Sequence, residues 1–280
     1  MKEVCETKDK IEKIKLVTTC MIAGMHVGMS VLHSLSPLNP VLGETCQRFA
    51  ADGTQYFAEQ ITHHPPVSAA TMIGPGGSWK FEVIQEFKAG LVSPNTIQAY
   101  KQGALVITLE DDTQYVIEEA QLNISGLVVG EIVLANSGKV TVKDITNDIT
   151  AEVILDPDRQ EGYISSVASK LKFWGSKKTK RPSDHFDINI YEGEIDKENI
   201  ACQGKGSYLE YVEFEDEKYW EIGEEWEEWK KPDILLQSDS SLRTDLNYII
   251  KKDYVNAQEA KEAIEEAQRS DKKLRESAKK

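Results

Sequence analysis

The sequence has few cysteines, no excess of positive charge and no hydrophobic leader. Its four cysteines are scattered without a C-x-x-C pair, which favours reduced thiols over a disulfide framework or a zinc site. Lys and Arg number 33 against 47 Asp and Glu, so the net charge is −14 and nucleic acid is not an expected partner. The first fifteen residues mix acids and bases, which argues against a secretory signal.

The sequence also lacks the motifs of nucleophilic catalysis and of a metal centre. No Ser or Cys lies in an elbow or paired motif, so we expect neither an enzyme nor a cofactor. His63 and His64 are adjacent, but no third ligand follows at a useful spacing, so we expect no metal. A metal-dependent hydrolase that uses these two histidines stays open as an alternative.

One long stretch lacks charge. Residues 16–38 contain no Asp, Glu, Lys or Arg across 23 positions, which is long enough for a membrane span. The stretch is only modestly hydrophobic because it contains histidines, threonines and serines. We therefore predict a buried N-terminal helix within residues 1–37 rather than a spanning one.

Short segments rich in Val, Ile, Tyr, Phe and Thr fill most of the chain, spaced about 8 to 12 residues apart. This pattern predicts a mainly β protein with flanking helices, in which a large antiparallel β barrel over residues 38–215 encloses a ligand cavity. The segments read as strands are 54–61, 78–87, 103–110, 114–124, 127–134, 138–145, 150–156, 185–195 and 204–214. The expected turns are Asp52-Gly53, Gly76-Gly77, Asp111-Asp112 and residues 136–138.

Residues 216–280 are expected to form a C-terminal segment and a long helix. From Tyr254 onward the chain has no Gly or Pro and is dominated by Ala, Glu and Lys. Lys261, Glu265 and Arg269 follow at i, i+4 and i+8, where a ladder of surface salt bridges is the ordinary interpretation. A narrow apolar seam suited to packing runs beside them: Ala257, Ala260, Ile264, Ala267 and Leu274.

His63 and His64 stand directly before Pro65 and Pro66. Proline has no N–H, so a strand should end here, on the rim of the sheet. Strict strand alternation would point the two imidazoles to opposite faces, so both can bind one ligand only if a turn or bulge re-aims one of them. Two interpretations remain: a structural pair at a strand end, or a phosphate site where two imidazoles donate together.

Several motifs resemble those of the oxysterol-binding protein family. Residues 59–69, EQITHHPPVSA, resemble the family's fingerprint and depart from it mainly at Thr62. Residues 39–44, NPVLGE, are similar to its other strong motif, and residues 238–245 with the Lys261/Glu265/Arg269 spacing match its C-terminal region. The resemblance runs from about residue 11 to the end, so we interpret residues 1–280 as a single lipid-binding domain of this type.

The resemblance implies a barrel whose tunnel holds sterol or another neutral lipid, or alternatively phosphatidylinositol 4-phosphate with its headgroup at the mouth. In that case the two histidines would hold the 4-phosphate with Arg269, and Lys261 would contact the inositol or its bridging phosphate. The backbone amide of Leu38 and the side chain of Asn39 would take the remaining polar atoms. The implied headgroup residues are Leu38, Asn39, His63, His64, Lys261, Glu265 and Arg269.

Two departures from the family pattern affect these expectations. Ser36 stands where the family has a lysine, which removes one cation and leaves Glu265 without its expected partner. Family domains also begin well upstream, with a lid segment over the tunnel. Here only about 35 residues precede the motif, so we expect the lid to be absent.

A cluster of basic and aromatic residues predicts a transient membrane contact. Residues 170–181 hold six of the 33 basic residues and two aromatic rings. Basic and aromatic side chains together suit anionic headgroups and the interfacial layer of a bilayer. The predicted contact residues are Lys172, Phe173, Trp174, Lys177 and Lys178.

Together these features predict a cytoplasmic lipid-transfer protein that is peripheral and transient at membranes. It would exchange sterol or a related lipid for phosphatidylinositol 4-phosphate and would not be an enzyme. The alternative, made plausible by the missing lid, is a phosphoinositide sensor without transported cargo.

Overall fold

A computed structural model describes residues 1–31, 38–157, 183–223 and 229–278. Within these ranges fourteen strands form one antiparallel sheet. The strands are β1 Thr45–Phe49, β2 Gln55–Thr62, β3 Val67–Ile73, β4 Trp79–Ser93, β5 Thr96–Gln102, β6 Leu105–Leu109, β7 Gln114–Glu118, β8 Gln121–Ser125, β9 Val133–Asp144, β10 Ile149–Leu155, β11 His185–Glu192, β12 Ile200–Ser207, β13 Tyr211–Phe214 and β14 Glu217–Glu221.

The sheet forks in its middle. The main path runs β1-β2-β3-β4-β5-β8-β9-β10-β11-β12-β13-β14, and the β6–β7 hairpin forms a second link between β4 and β9. The fork arises because β4 has 15 residues: residues 79–83 pair with β6 and residues 86–93 pair with β5. Strand β9 divides in the same way between β8 and β7. Two routes therefore connect the long strands β4 and β9: one through β5 and β8, and one through the β6–β7 hairpin.

The first strand of the sheet is covered by the C-terminal part of the chain. Phe49 exchanges both backbone hydrogen bonds with Lys230, at 2.8 Å each, and the Thr45 amide donates to the Ser238 carbonyl at 2.9 Å. Covering an edge in this way blocks strand addition by other chains. The mainly β class with flanking helices is confirmed, while β1 and β14 are not paired with each other among the described strands.

Four α-helices flank the sheet in the described ranges: α1 Lys2–Glu6, α2 Lys10–Val31, α3 Thr244–Ile250 and α4 Tyr254–Ala278. Asp9 caps α2, because its Oδ1 accepts the Glu12 backbone N–H at 2.8 Å. Asp253 caps α4 by accepting the Asn256 N–H at 3.2 Å. The N-terminal helical region expected over residues 1–37 thus contains two helices, with a break at residues 7–9.

Helix α2 is buried as predicted. It packs on β9, β10, β13 and β14, and Ile14, Val17 and Ile22 are fully buried. The buried Lys13 side chain donates to Asp111 Oδ2 at 2.6 Å and lowers the pKa of Asp111 to about 2, which fixes the helix to the β6–β7 turn. No helix in the described ranges is long and apolar enough to cross a membrane.

The core follows rows of buried side chains across neighbouring strands. One row is set by direct pairing of Leu105 with Ile117, Ile117 with Val142, Val142 with Ala151 and Ala151 with Ile190. All five side chains are buried, and the larger ones contribute about 1.5–3 kcal/mol each. The alternation of these positions along each strand is the pattern that predicted a half-buried sheet.

The sequence prediction was wrong about several strand limits. Residues 127–134 were expected to form a strand, but only Val133 and Leu134 belong to β9. Gly126 precedes the run and Gly130 lies within it, with φ values of 83° and 107°, so the backbone turns away from extended geometry despite its Val and Ile content. The turn expected at residues 136–138 lies inside β9, where Gly138 pairs with Leu155.

Two other predicted strands are each divided, and four strands were not predicted. Residues 114–124 contain β7 and β8, separated at Glu119 and Ala120, and residues 204–214 contain the end of β12 and all of β13. The strands that the sequence did not indicate are β1, β3, β5 and β14. Strands β1 and β14 lie at the two edges of the sheet, and β5 carries few apolar side chains. In these three strands the alternation of apolar and polar residues is therefore weak.

Candidate functional site

The adjacent histidines lie in the β2–β3 turn and face each other. Strand β2 ends at Thr62, β3 begins at Val67, and the pairing register shifts between Gln60 and Thr62. The imidazole centroids of His63 and His64 are 4.5 Å apart, with ring planes at 57°. The turn is the kind of irregularity that the sequence required for both rings to serve one ligand.

Hydrogen bonds brace this turn against its neighbours. The Thr62 hydroxyl donates to the Pro65 carbonyl, and Gln60 Nε2 donates to the Thr62 carbonyl at 2.6 Å. The Phe87 amide of β4 donates to the Pro66 carbonyl at 3.0 Å. The imidazoles are therefore carried by a turn that is held on both sides, although the prolines supply no backbone donors.

Helix α4 brings three charged residues to the same place. Glu265 lies between two cations: Lys261 Nζ is 3.5 Å from its Oε1, and an Arg269 guanidinium nitrogen is 3.7 Å from its Oε2. Both contacts are the i, i+4 salt bridges that the sequence spacing predicted, whereas the lysine that the family pattern places opposite Glu265 is Ser36 here. Ser36 itself lies outside the described residues.

The apolar seam predicted on α4 packs only over its first half. Ala257 is buried and Ala260 and Ile264 are half-buried, whereas Ala267 and Leu274 are exposed. Past Ile264 the covered face continues through Gln268 instead. The helix thus leaves its supporting surface near the point where its charged residues line a cavity.

Arg243 fixes the loop that carries Leu38 and Asn39. One guanidinium nitrogen donates to the Asn39 carbonyl and to Glu44 Oε2, both at 2.8 Å. The other side of the guanidinium binds Asp245 in a bidentate pair at 2.7 and 3.0 Å. Burial opposes ionisation of Asp245, but the hydrogen bonds from Arg243 hold its pKa below the usual value. Sequence reasoning gave Arg243 no role, although residues 238–245 were noted as a motif.

These elements meet around a cavity of about 760 Å³, which we call the rim pocket. All seven headgroup residues expected from the sequence line it, so the structure brings together three segments that are distant in sequence. Five charged or amide side chains of the same wall were not indicated by the sequence: Arg243, Gln268, Lys272, Arg275 and Glu276. The lining is Leu38, Asn39, Val41, Leu42, Ile61, Thr62, His63, His64, Arg243, Lys261, Ile264, Glu265, Gln268, Arg269, Lys272, Arg275 and Glu276.

The rim pocket is positively charged on an acidic protein. Its wall contains five Lys or Arg side chains and two glutamates, whereas the whole chain carries −14. Only Arg243 among the five is neutralised by buried carboxylates, those of Glu44 and Asp245. The remaining cations face a cavity in which an anion would find donors on several sides.

Two buried polar atoms of the rim pocket have no hydrogen-bond partner among the described residues: His63 Nδ1 and Gln268 Nε2. Burial lowers the pKa of His63, the neighbouring His64 lowers it further, and Glu265 opposes the shift. The free imidazole is therefore neutral near pH 7. A buried polar atom without a partner costs about 1–3 kcal/mol, so both atoms favour a polar ligand: Gln268 Nε2 donates, and His63 Nδ1 donates or accepts according to its tautomer.

A second cavity, of about 640 Å³, lies between the N-terminal helices and the sheet, and we call it the apolar cavity. All five methionines of the chain line it, three of them spaced four residues apart on α2. Methionine is flexible and polarizable, so it adapts to irregular apolar ligands. That spacing was a signal in the sequence that went unused. The five are Met1, Met21, Met25, Met29 and Met72.

A polar cluster interrupts the wall of the apolar cavity at the fork of the sheet. Lys101 Nζ lies 2.9 Å from Glu119 Oε1, and Gln85 Nε2 donates to the other carboxylate oxygen. The same three side chains lie where β4 changes partner from β6 to β5. The cavity therefore offers hydrogen-bonding groups at one point of an otherwise apolar wall.

A third, smaller cavity has a volume of about 390 Å³. It shares six lining residues with the apolar cavity. At its other end it is lined by Pro40 and Gln60, the sequence neighbours of Asn39 and Ile61 in the rim pocket. The smaller cavity thus borders the apolar cavity directly and is related to the rim pocket only through neighbouring residues of the same segments. The shared residues are Tyr56, Ala70, Val83, Gln85, Phe87 and Lys101.

The basic cluster predicted to contact membranes lies outside the described residues, including Lys172, Phe173, Trp174, Lys177 and Lys178. In the described ranges no three His, Cys, Asp or Glu side chains are grouped to hold a metal ion. All four cysteines are free thiols.

Comparison with known proteins gives a family for the whole chain. The family model described as "Oxysterol-binding protein" matches residues 1–280. Oxysterol-binding protein 9 of Dictyostelium discoideum is 29% identical over 286 aligned residues, covering 98% of this chain and 64% of that protein. Oxysterol-binding protein-related protein 3C of Arabidopsis thaliana is 25% identical, covering 86% and 54%. The chain thus spans between half and two thirds of these relatives.

Solved structures share the fold. The ORD of Osh3 from Saccharomyces cerevisiae, crystallised with PI(4)P, aligns with a TM-score of 0.77 at 17% identity, over 98% of this chain and 73% of that one. The ORD domain of Osh1, crystallised with cholesterol, aligns with a TM-score of 0.77 at 16% identity, over 99% and 70%.

Proposed function

Because the chain belongs to the oxysterol-binding protein family, we propose that it is a lipid-transfer protein that exchanges a sterol or related neutral lipid for phosphatidylinositol 4-phosphate. The observation that carries the proposal is the pairing of a cationic rim pocket with a methionine-lined apolar cavity in one sheet. We take residues 1–280 as one lipid-binding domain. It would work in the cytoplasm and visit membranes transiently.

The rim pocket suits a phosphomonoester headgroup. A phosphomonoester carries a charge of about −1.5 to −2 and three strong acceptor oxygens. In the proposed complex His63 and His64 hold the 4-phosphate together with Arg269. Lys261 contacts the inositol or its bridging phosphate, and Glu265 positions both cations.

The loop fixed by Arg243 and the face of α4 complete the headgroup site. The Leu38 amide and the Asn39 side chain take the remaining polar atoms of the inositol. We add Gln268 to this set, because its unpartnered amide nitrogen lines the same pocket. Charge-assisted hydrogen bonds of about 1.5–3 kcal/mol each would offset removal of the headgroup from a membrane surface.

The apolar cavity suits the neutral lipid and the acyl chains of the phosphoinositide. Its volume lies within the range of about 300–1,000 Å³ that is typical of small-molecule sites. Solved relatives of the same fold were crystallised with PI(4)P and with cholesterol, which supports both ligand classes. The acyl chains and the neutral lipid would compete for this one apolar space, so the two lipids would exclude each other, and that exclusion is the basis of the proposed exchange.

The alternative is a phosphoinositide sensor that carries no cargo. A sensor needs the rim pocket alone, and a large apolar cavity behind it would be an unfavourable feature without a ligand to fill it. The cavity lined by all five methionines therefore favours transfer over sensing. Neither function includes a covalent step.

The test is lipid extraction from liposomes by the purified chain. His63→Ala with His64→Ala should abolish extraction of phosphatidylinositol 4-phosphate and leave sterol extraction nearly unchanged, because only one of the lipids presents a phosphate to the rim. His185→Ala is the matched control, since His185 lies on β11 with its ring against the Gly206 carbonyl, away from the pocket. Equal loss of both lipids in a folded double variant would overturn the headgroup assignment.

A further inference from the structure

Six large aliphatic side chains are exposed together where the β4–β5 and β8–β9 connections meet. Leu91 is 72% exposed, Val128 72% and Val129 76%, values far above those of the core. Contiguous exposed apolar side chains mark interaction surfaces in soluble proteins. We call this surface the apolar tip, and its residues are Leu91, Val92, Leu127, Val128, Val129 and Ile132.

Strand pairing places the two connections side by side. Ser93 pairs with Thr96 across the β4–β5 turn, Thr96 pairs with Ser125, and Ser125 pairs with Val133. Four neighbouring strands therefore end at one level. The apolar tip is a single feature of the sheet rather than two unrelated loops.

Asn95 satisfies the backbone of the tip from within. Its Oδ1 accepts the amides of Val128 at 2.8 Å and Val129 at 3.0 Å, and its Nδ2 donates to the Val129 carbonyl at 3.0 Å. Its own carbonyl accepts the Gly126 amide at 3.0 Å. In water a loop backbone can bind solvent, but in lipid every backbone group needs an internal partner. The amides of Val128 and Val129 and the Val129 carbonyl therefore have internal partners, which lowers the cost of placing this part of the loop in an apolar medium.

The apolar tip projects from the end of the sheet that carries the histidine turn. Strand β4 pairs Glu86 with Val67, directly after that turn, and then continues through six more residues past Phe87. At about 3.3 Å per residue the hairpin extends roughly 20 Å beyond the level of the turn. A lipid that enters the rim pocket would leave a bilayer facing this same end.

The charge of the tip selects the kind of surface. Residues 89–96 and 125–133 contain no Lys or Arg and one acidic residue, Glu131. Attraction to anionic headgroups therefore cannot be its driving force, and contact must come from burial of aliphatic side chains. This differs in charge and in sequence position from the basic cluster at residues 170–181.

We propose that the apolar tip docks the protein on a lipid bilayer by inserting its aliphatic side chains beside the mouth of the rim pocket. Asn95 is the positioning residue that keeps the tip backbone satisfied during insertion. The inference rests on the proposed function, since it assumes a protein that takes lipid from a membrane.

The test measures co-flotation of the full chain with vesicles of phosphatidylcholine alone, free of sterol and phosphoinositide. Leu91→Asp with Val129→Asp should weaken binding by about tenfold or more, because each change puts a charge into the apolar layer. Ile145→Asp with Ile195→Asp is the matched control: both side chains are exposed, and both follow strands at the opposite end of the sheet. The control should bind like the unchanged protein, and binding should persist from about 0.05 to 0.5 M salt.

Three results would overturn the docking proposal. They are equal binding by the tip variant and the control, loss of all binding at high salt, and a shift from dimer to monomer in the tip variant with vesicle binding unaltered. The last would make the tip a contact between copies of the chain. As a second readout, Val129→Trp should show a blue-shifted emission on adding vesicles, and an unshifted emission would also contradict insertion.

A separate measurement distinguishes failure of this proposal from failure of the proposed function. Binding of inositol 1,4-bisphosphate, a headgroup without acyl chains, should be the same in the tip variant and the unchanged protein. Headgroup binding without vesicle docking would reject the apolar tip alone. Vesicle docking without headgroup binding would support the tip and reject the proposed function.

Discussion

The walls of the rim pocket and of the apolar cavity are stabilised by different kinds of contact. The rim pocket is built from a turn, a loop and one helix face, and ion pairs and hydrogen bonds keep its residues in place. The apolar cavity is enclosed by α2 and the sheet, and its wall consists mostly of methionine, aromatic and aliphatic side chains. Directional contacts specify one geometry, whereas adaptable apolar walls accept several shapes of similar volume.

The difference suggests a division of tasks between the two regions. A polar ligand can be recognised group by group at the rim, because each donor has a fixed direction. A neutral lipid can be held in the interior through burial of area, which is not directional. Substitutions should therefore separate headgroup binding at the rim from neutral-lipid binding in the interior.

Arg243→Ala should have the largest effect, and it should be confined to the rim. The substitution leaves the fully buried Asp245 and the nearly buried Glu44 without their cation, which costs about 3–5 kcal/mol of unfolding free energy. It also releases the Asn39 carbonyl, so headgroup affinity should fall as well. Urea denaturation and titration with inositol 1,4-bisphosphate measure the two effects.

The matched control for Arg243 is Lys218→Ala, which removes a cation from an exposed pair with Glu221. That change should alter stability by less than about 1 kcal/mol. If Arg243→Ala were as mild as this control, the ionic support of the rim pocket would not be what holds the loop at residues 38–44.

Gly24→Phe should block the apolar cavity and leave the rim unchanged. Gly24 lines the cavity from α2, and a Cβ added there meets no heavy atom within 4 Å. A phenyl ring should therefore enter the space meant for the lipid and lower sterol affinity by at least about tenfold, while binding of inositol 1,4-bisphosphate stays the same. A fluorescent sterol titration gives the first quantity and calorimetry the second.

Gly24→Ala serves as its control. Alanine should raise stability by about 0.5–1 kcal/mol, because glycine is unfavourable inside a helix, and should leave sterol binding intact. Unchanged sterol affinity in Gly24→Phe would place the sterol outside the apolar cavity.

Gln268→Leu should weaken headgroup binding while leaving the free protein at least as stable as before. The amide nitrogen is buried without a partner in the free protein, so its removal relieves an unmet donor. In the complex it would lose one hydrogen bond, worth about 1 kcal/mol or roughly fivefold in affinity. Gln258→Leu, on the exposed side of the same helix, should change neither quantity. Lower stability with unchanged affinity would remove Gln268 from the site.

The smallest predicted effect is a reversal of pH dependence at His63. In the free protein the pKa of His63 is lowered by burial and by His64, so its stability contribution is present above about pH 6.5 and is lost as pH falls. A bound phosphate favours the charged imidazole and raises the pKa, so the complex should weaken as pH rises.

The measurement compares the unchanged protein with His63→Asn by thermal unfolding between about pH 5.5 and 7.5, with and without inositol 1,4-bisphosphate. Titration of the phosphate itself is common to both proteins and cancels in the difference. The difference should change sign when the ligand is added. The same sign in both states would mean that His63 binds as a neutral donor.

The sequence indicated the polar site more fully than the apolar one. His63, His64, Lys261, Glu265 and Arg269 lie in short motifs, and the structure brings all of them to the rim pocket. The requirement for a turn or bulge that re-aims one of the adjacent histidines followed from strand alternation, and His63 and His64 lie in the turn between β2 and β3. Most of these site residues lie within short sequence motifs, so the motifs and their spacing identify them.

Long-range packing was not accessible in the same way. The roles of Arg243 and Gln268 depend on contacts with segments about 200 residues away, which no local pattern encodes. The Val and Ile content of residues 127–134 predicts a strand, yet Gly126, Gly130 and Asn95 hold residues 127–132 as a loop. The basic cluster at residues 170–181 stays a prediction.

The proposed exchange requires that one chain holds either a neutral lipid or phosphatidylinositol 4-phosphate, but never both. Native mass spectrometry of the chain after incubation with liposomes containing both lipids tests it most directly. We expect two populations, each with a single bound lipid, in a ratio that follows the liposome composition. The phosphoinositide-bound population should disappear in His63→Ala with His64→Ala. A population carrying both lipids on one chain, or a phosphoinositide complex with no sterol complex at any composition, would contradict it.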